Sequence, residues 1–128
     1  MKVLLIALLS SFLLQGTEGA DFSTIETALK TGDAETLSQY FDANVEVAVT
    51  DDIPKVYNKA KAKELVNLFF RNNKPTGFQQ RHKGMSKGKG YQYFIGNLET
   101  IKGSYRVTIV INVDAKQFLI QEIGFNKN

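Results

Sequence analysis

Residues 28–41 read ALKTGDAETLSQYF and place a glycine–aspartate turn between two segments of helical character. Upstream, apolar residues recur at the i, i+3, i+7 spacing of one helical face: Phe22, Ile25 and Leu29. Downstream, a second set follows helical spacing: Ala34, Leu37, Tyr40 and Phe41. Because Gly32 can end a helix in the left-handed conformation and Asp33 can cap the next, the sequence predicts a helix, a tight turn and a short second helix.

A strand and a third helix are predicted after the turn. Apolar and other residues alternate from Val45 to Val49, the period-two pattern of a half-buried strand. The segment 55–57 is predicted to pair back with it. Asn58 then begins a third helix, with an apolar stripe at Ala62, Leu65, Val66, Phe69 and Phe70. Pro75 ends this helix, because proline cannot continue it and restricts the residue before it.

The remainder of the chain is predicted to form strands. Four β-rich runs occupy residues 78–85, 91–100, 104–114 and 117–125, and connections this short force antiparallel neighbours. The predicted fold class is α+β, in which three helices from the N-terminal half pack on one face of a strongly curved, mostly antiparallel sheet.

The N-terminus has the pattern of an export signal. One basic residue precedes the apolar run Val3–Leu14, which is followed by small and polar residues. The run is shorter than the roughly 18 apolar residues that span a bilayer. We expect residues 1–19 to be a signal peptide and residues 20–128 a single exported domain, periplasmic or secreted; the alternative is an uncleaved N-terminal anchor.

Composition limits the available chemistry. The 128-residue chain has 43% hydrophobic residues, no cysteine and a single histidine, His82. Disulfides, thiol nucleophiles and cysteinyl zinc sites are therefore excluded, and we expect neither a metal site nor a cofactor.

The segment 28–41, with the predicted strand 44–49 and third helix 61–70, resembles the nuclear transport factor 2-like superfamily, which includes SnoaL-like proteins and ketosteroid isomerase. The later segments 82–86, 93–98 and 105–107 resemble a small secreted bacterial branch of it, a domain of unknown function. The resemblance implies a cystatin-like, cone-shaped half barrel whose sheet wraps around a pocket closed by the helices.

The resemblance does not carry over the family's catalytic residues. In ketosteroid isomerase an aspartate base works with a tyrosine and a protonated aspartate. The corresponding register places that base at about Val49, which has no titratable group, while Asp51 and Asp52 come later. Other members use a pair of pocket histidines, and this chain has one. We therefore favour a non-catalytic domain that binds a small apolar molecule or a protein partner.

The predicted pocket has helix and sheet walls made mostly of aromatic residues. Its candidate ligand-binding residues are Tyr40, Phe69, Phe70, Phe78, His82 and Tyr93. His82 is placed on the strand face of Phe78, since strand residues two and four apart share a face. The enzymatic alternative is an isomerase- or dehydratase-like protein with His82 as acid or base and Tyr40 or Tyr93 polarising a carbonyl. His82 as a structural or surface histidine, and the whole domain as a structural cell-envelope adaptor, are the other interpretations.

Charge is unevenly distributed along the chain. Residues 21–52 carry a balance of −7, and the segment Lys55–Lys89 carries +9. The basic region is a candidate surface for an anionic partner, although a solvated lysine-rich helix flank and loop is the favoured interpretation. No nucleic-acid-binding motif is present, and we expect no such partner. We expect a homodimer that pairs through the open face of the sheet, with Val107, Ile109, Ile111 and Val113 as candidate interface residues.

Overall fold

A computed structural model describes residues 19–50, 52–85, 90–113 and 118–128, and the backbone alone for residues 19–21. The helices are α1 (Gly19–Thr31), α2 (Ala34–Ser38) and α3 (Lys59–Asn72). The strands are β1 (Phe41–Val49), β2 (Lys55–Asn58), β3 (Pro75–Met85), β4 (Tyr91–Thr100), β5 (Gly103–Asn112) and β6 (Leu119–Lys127). The predicted signal peptide lies outside the described residues except for Gly19. In the described part of the chain, no helix combines the length and apolar character needed to cross a membrane.

The helix ends follow the local signals in the sequence. Gly32 has a φ of 70°, the left-handed conformation that ends α1. Asp33 caps α2 by accepting hydrogen bonds from the Thr36 hydroxyl at 2.7 Å and the Thr36 backbone N–H at 3.0 Å, and these bonds lower the pKa of Asp33. Asn58 caps α3 through its side-chain oxygen, 2.8 Å from the backbone nitrogen of Lys61.

The second helix is shorter than predicted. It ends at Ser38, and Phe41 is the first residue of β1 rather than the last residue of a helix. Helical spacing did not distinguish the two outcomes, because the Phe41 side chain is buried in the core from its strand position.

The six strands form one curled, open sheet in the order β2-β1-β6-β5-β4-β3. Neighbours pair antiparallel, except that β1 and β6 run parallel. The last four strands thus form the predicted meander, and β1 with β2 extends it. The predicted α+β class with a curved, mostly antiparallel sheet is confirmed.

The two faces of the sheet differ in character. One face, here called the helix face, packs under the helices and carries the buried apolar residues of the core; these include Val47, Phe94, Leu98, Val107, Ile109, Ile111 and Phe125. The other, the open face, carries the alternate residues, most of which are polar or half-buried. Val107, Ile109 and Ile111 therefore face the helices, so their predicted place in a pairing surface on the open face is wrong.

Aromatic rings fill the space between α3 and the sheet. The Phe69 ring stacks on Phe125 with centroids 4.2 Å apart and meets Tyr105 edge-on at 5.0 Å. Phe70 meets Phe125 edge-on at 5.8 Å. The Tyr105 hydroxyl donates to the Asn73 side-chain oxygen at 2.9 Å, which ties the end of α3 to β5. These contacts join α3, β5 and β6 through one cluster of aromatic rings.

Gly96 is closely packed on the helix face, so a side chain at this position should lower stability. A Cβ on Gly96 would lie 2.3 Å from the Phe78 ring and 2.8 Å from the Gln79 carbonyl oxygen, whereas one on Gly77 would meet nothing within 4 Å. We expect Gly96→Ala to lower the free energy of unfolding by about 1–3 kcal/mol, because ring and backbone must shift. Gly77→Ala is the matched control and should change it by about 0.5 kcal/mol or less. Equal effects in urea unfolding would contradict this packing.

Candidate functional site

Two grooves on opposite faces of the sheet are the main candidate sites. The first, the helix-side groove, has a volume of about 300 Å³ and lies between α3 and the ends of β1 and β2. Its apolar walls are formed by Val47, Val49, Tyr57, Leu65, Leu68 and Phe69. Its polar contributors are Thr50, Asp52, Asn72 and Asn73, so the site is an apolar slot with a polar rim.

The rim of the helix-side groove exposes apolar surface. Ile53 is 77% exposed and Leu68 is 52% exposed, and both line the groove. Thr50, at the end of β1, has a φ of 55°, which is unusual for a β-branched residue. Its backbone N–H donates to the Phe125 carbonyl at 2.7 Å, and this bond ties the end of β1 to β6.

Asn73 forms a buried part of the same groove. Its amide nitrogen donates to the Phe69 carbonyl at 3.0 Å, while its oxygen accepts from the Tyr105 hydroxyl. Both ends of the amide therefore have protein partners. Asn73 fixes the wall of the groove, and the more exposed Thr50, Asp52 and Asn72 are the groups available to a ligand.

The second groove, the open-face groove, has a volume of about 500 Å³. Its lining residues are Glu46, Tyr91, Tyr93, Val110, Gln121 and Glu122. Strand register explains this set: Tyr93 pairs with Val110, Val110 with Glu122, and Glu122 with Glu46, so four strands contribute to one transverse row. Directly paired residues in a sheet point to the same face, which brings the row together.

The two carboxyl groups of this row form a hydrogen-bonded pair. The hydrogen bond with Glu46, together with burial and the negative charge of Glu46, raises the pKa of Glu122 to about 7. Glu122 therefore keeps a proton under mildly acidic conditions and donates it toward Glu46. The neighbouring Gln121 donates its amide N–H to Asp42 at 2.5 Å, which fixes the amide beside the pair.

An irregularity in β6 brings Gln121 to the same groove. Val110 pairs with Glu122 but Ile111 pairs with Ile120, so Gln121 has no directly opposite residue on β5. Such a bulge breaks the strict alternation of the strand. Gln121 and Glu122 therefore both line the open-face groove although they are adjacent in sequence.

The structure does not bring the six predicted pocket residues together. Phe69 and Phe70 are buried in the core, and Tyr40 and Phe78 are half-buried against it. Of these four, only Phe69 lines the helix-side groove. Tyr93 lines the open-face groove on the other side of the sheet. The predicted set therefore does not form one cavity, because the sheet separates its members.

His82 is not on the face that the sequence predicted. β3 contains a bulge: Gln80 pairs with Gly96, but His82 pairs with Ile95, so Arg81 is the extra residue. One extra residue moves the following side chains to the other face, and His82 is exposed on the open face while Phe78 packs toward the core. His82 lines neither groove, which removes the geometry that the predicted acid–base role required.

Sequence reasoning did not identify the residues of the open-face pair. Glu46 occupies a polar position in the alternating strand, and Glu122 lies in a polar interruption of the last one. Alternation alone assigns both to the open face. Their contact depends on the parallel pairing of β1 with β6, which no local pattern indicates. Within the described ranges, no group of three or more histidine, aspartate or glutamate side chains is arranged to hold a metal ion.

The fold places the chain in a known structural class. A curled sheet under three helices is the nuclear transport factor 2-like, or cystatin-like, arrangement. It is shared with a domain of unknown function with a cystatin-like fold from Nostoc punctiforme, at 7% identity and a TM-score of 0.65 over 84% of this chain and 72% of that one. It is also shared with a putative dehydratase of the NTF2-like family from Streptomyces avermitilis, at 13% identity and a TM-score of 0.60 over 86% and 92%.

The chain belongs to the family described as Domain of unknown function (DUF4783), whose profile matches residues 22–126. A DUF4783 family protein from Bacteroides ovatus is 30% identical, with a TM-score of 0.75 over 82% of this chain and 93% of that one. Another, from Bacteroides fragilis, is 24% identical, with a TM-score of 0.76 over 82% and 96%. No curated protein matches the chain.

The carboxyl pair makes stability depend on pH. The ordinary pKa of Glu122 is 4.5, so between that value and about 7 the folded state binds more protons than the unfolded one. The free energy of unfolding therefore falls as pH rises through this range. Glu122 is only half-buried, so water screens its charge and the effect should be small. We compare the free energy of unfolding of Glu122→Gln with that of wild type, and expect the difference to rise in favour of the variant by about 1 kcal/mol from pH 5 to pH 8.

Urea unfolding at the two pH values measures this difference. The control is Glu99→Gln, which removes an exposed carboxyl on the same sheet but outside the groove. An equal pH response in Glu122→Gln and the wild type would contradict the proton-sharing pair.

Proposed function

We propose that this domain is a non-catalytic binding protein that holds a small apolar molecule in the helix-side groove. The observation that carries the proposal is the exposure of Ile53 and Leu68 at the mouth of a slot with apolar walls. A concave, mostly apolar site with a few polar groups is typical of small-molecule sites.

The energetics favour an apolar occupant. Water-exposed apolar surface gains about 25 cal/mol per Å² when it is covered. An occupant of the slot would cover part of Ile53 and Leu68 and would contact Val49 and Leu65 inside it. The volume of about 300 Å³ lies at the lower end of the range for small-molecule sites, which indicates a small ligand rather than a protein segment.

Polar groups occur at the rim and would orient the ligand. Thr50, Asp52 and Asn72 line the groove, and Asp52 and Asn72 are exposed. A ligand with an apolar body and one hydrogen-bonding end fits this distribution, because the body would lie against α3 and the polar end would reach the rim.

A catalytic role has little support in this groove. His82 is exposed on the other face of the sheet, and the described residues that line the groove include no histidine, lysine or arginine. The dehydratase named above shares the fold at 13% identity and carries no residue roles to this chain. The proposal is therefore for binding without chemistry, with the structural adaptor of the cell envelope as the competing role.

Three further expectations accompany this proposal. Export would place the domain in the periplasm or outside the cell. The basic region Lys55–Lys89 stays a candidate surface for an anionic partner, although Lys61 and Lys63 already form ion pairs with Glu64 and Glu35. A homodimer that pairs through the sheet would use open-face residues, because Val107, Ile109 and Ile111 are buried.

The test is a fluorescence titration with the uncharged apolar probe N-phenyl-1-naphthylamine. Leu68→Trp would narrow the mouth of the groove, and Ile101→Trp makes the same change at an exposed site outside it. We expect Leu68→Trp to weaken binding about tenfold, a loss of roughly 1.4 kcal/mol, and Ile101→Trp to leave it unchanged.

Equal affinities in wild type and Leu68→Trp would reject the helix-side groove as the site. Absence of saturable binding in the wild type would favour the structural adaptor. If the probe binds, native mass spectrometry of protein purified from its source would identify a small molecule that the protein retains.

A further inference from the structure

We propose that the open-face groove is a second binding site, which takes a small organic cation of the alkylammonium class through the carboxyl groups of Glu46 and Glu122 and the rings of Tyr91 and Tyr93. This site lies on the opposite face from the helix-side groove and shares no lining residue with it. It therefore goes beyond the function proposed above and does not depend on it.

The carboxyl groups of the groove favour a cationic ligand over an apolar or an anionic one. Glu46 and Glu122 are direct neighbours on β1 and β6. The ion pairs found among the described residues join Lys61 to Glu64 and Lys63 to Glu35, and neither involves this carboxyl pair. The two carboxyl groups share one proton, which is the positive charge between them. An ammonium group can replace this proton and can donate up to three hydrogen bonds.

The aromatic residues suit the same class of ligand. Tyr91 and Tyr93 line the groove from β4, and Tyr93 is 39% exposed. Their rings offer apolar surface to the alkyl part of the ligand, which gains about 25 cal/mol for each Å² of apolar area that is covered. Val110 lies between the tyrosines and the carboxyl pair and gives an apolar floor for the alkyl part of the ligand.

Gln121 adds an acceptor at the edge of the groove. Its amide nitrogen donates to Asp42, so the amide is oriented with its nitrogen toward that carboxylate. The carbonyl oxygen is then the end that can accept a hydrogen bond from an ammonium group. Two carboxyls and one amide oxygen favour an organic cation over calcium, which takes six to eight oxygen ligands.

The size of the groove also favours a free small molecule. Its volume of about 500 Å³ falls within the range of small-molecule sites. An alkylammonium ion with a short chain would fit with its charged end at the carboxyl pair and its chain over Val110.

Cation binding should release the shared proton, so affinity should rise with pH. The groups that face the pair are Glu46 and Glu122 themselves with Tyr91 and Tyr93 from β4; Asp42 acts through Gln121. β5 contributes the uncharged Val110, and β2 pairs the uncharged Val56 with Glu46. Since one proton is exchanged, affinity should increase by at most about tenfold for each pH unit up to about 7.

The experiment is a two-dimensional NMR titration with n-butylammonium, and butan-1-ol serves as the uncharged control of matching shape. We expect saturable shifts at the backbone amides of Tyr91, Tyr93 and Glu122 with butylammonium alone. The affinity should be at least about tenfold higher at pH 8 than at pH 5.5.

Variants separate the contributions. The double variant Glu46→Gln, Glu122→Gln should weaken binding at least about tenfold and remove its pH dependence. Tyr93→Ala should weaken binding about threefold, because it removes apolar contact with the alkyl chain, and should keep the pH dependence. Glu99→Gln, the control for one lost carboxyl, should bind like wild type. The amide spectrum of each variant shows whether it is folded.

Several results would overturn the proposal. These are equal shifts with butanol, unchanged binding in the double glutamine variant, and no saturable shift in the wild type. Light scattering at the NMR concentration can give a fourth such result. If the protein is a dimer and butylammonium does not shift the Tyr93 amide, this face binds a second copy of the chain. The probe titration on the helix-side groove has a separate readout, so either site can fail alone.

Discussion

The stack of Phe69 on Phe125, with centroids 4.2 Å apart, is the contact on which the rest of the domain depends. Phe125 lies near the end of β6, a strand paired with β1 on one side and β5 on the other. Phe69 lies on α3, so the stack packs this helix against the end of β6. Tyr105 and Phe70 pack edge-on around it and close the interior. Burial of aromatic side chains of this size dominates the stability of a small core that has no disulfide.

The two grooves lie on either side of the sheet. The helix-side groove lies between α3 and the ends of β1 and β2, with Phe69 in its wall and Ile53 and Leu68 exposed at its mouth. The second groove lies on the open face, where the parallel pairing of β1 with β6 holds Glu46 beside Glu122. The two grooves differ in chemistry: one is apolar with a polar edge, and the other combines carboxyl groups with tyrosines. A single sheet thus separates two grooves of different chemistry.

Local signals in the sequence were sufficient for most of the fold. Gly32, Asp33 and Asn58 act on their own neighbours, so their caps and turns were predictable, and alternation located the strands. The site was less predictable because it depends on features that the alternation of apolar and polar residues does not show. The bulge at Arg81 reversed the face of His82, and the pairing of strands far apart in sequence joined Glu46 to Glu122. Apolar alternation in β5 indicated a buried face without showing whether helices or a second copy cover it.

The most direct test of this account is the free energy of unfolding of Phe125→Ala, measured by urea denaturation. A closed aromatic interior predicts a loss of about 3–5 kcal/mol, because the missing ring leaves a cavity against Phe69 and Phe70 that the surrounding chain cannot fill. The exposed Ile101→Ala should change stability by about 0.5 kcal/mol or less. A loss below about 1 kcal/mol for Phe125→Ala would show that the interior is not closed by this stack, and would contradict the account.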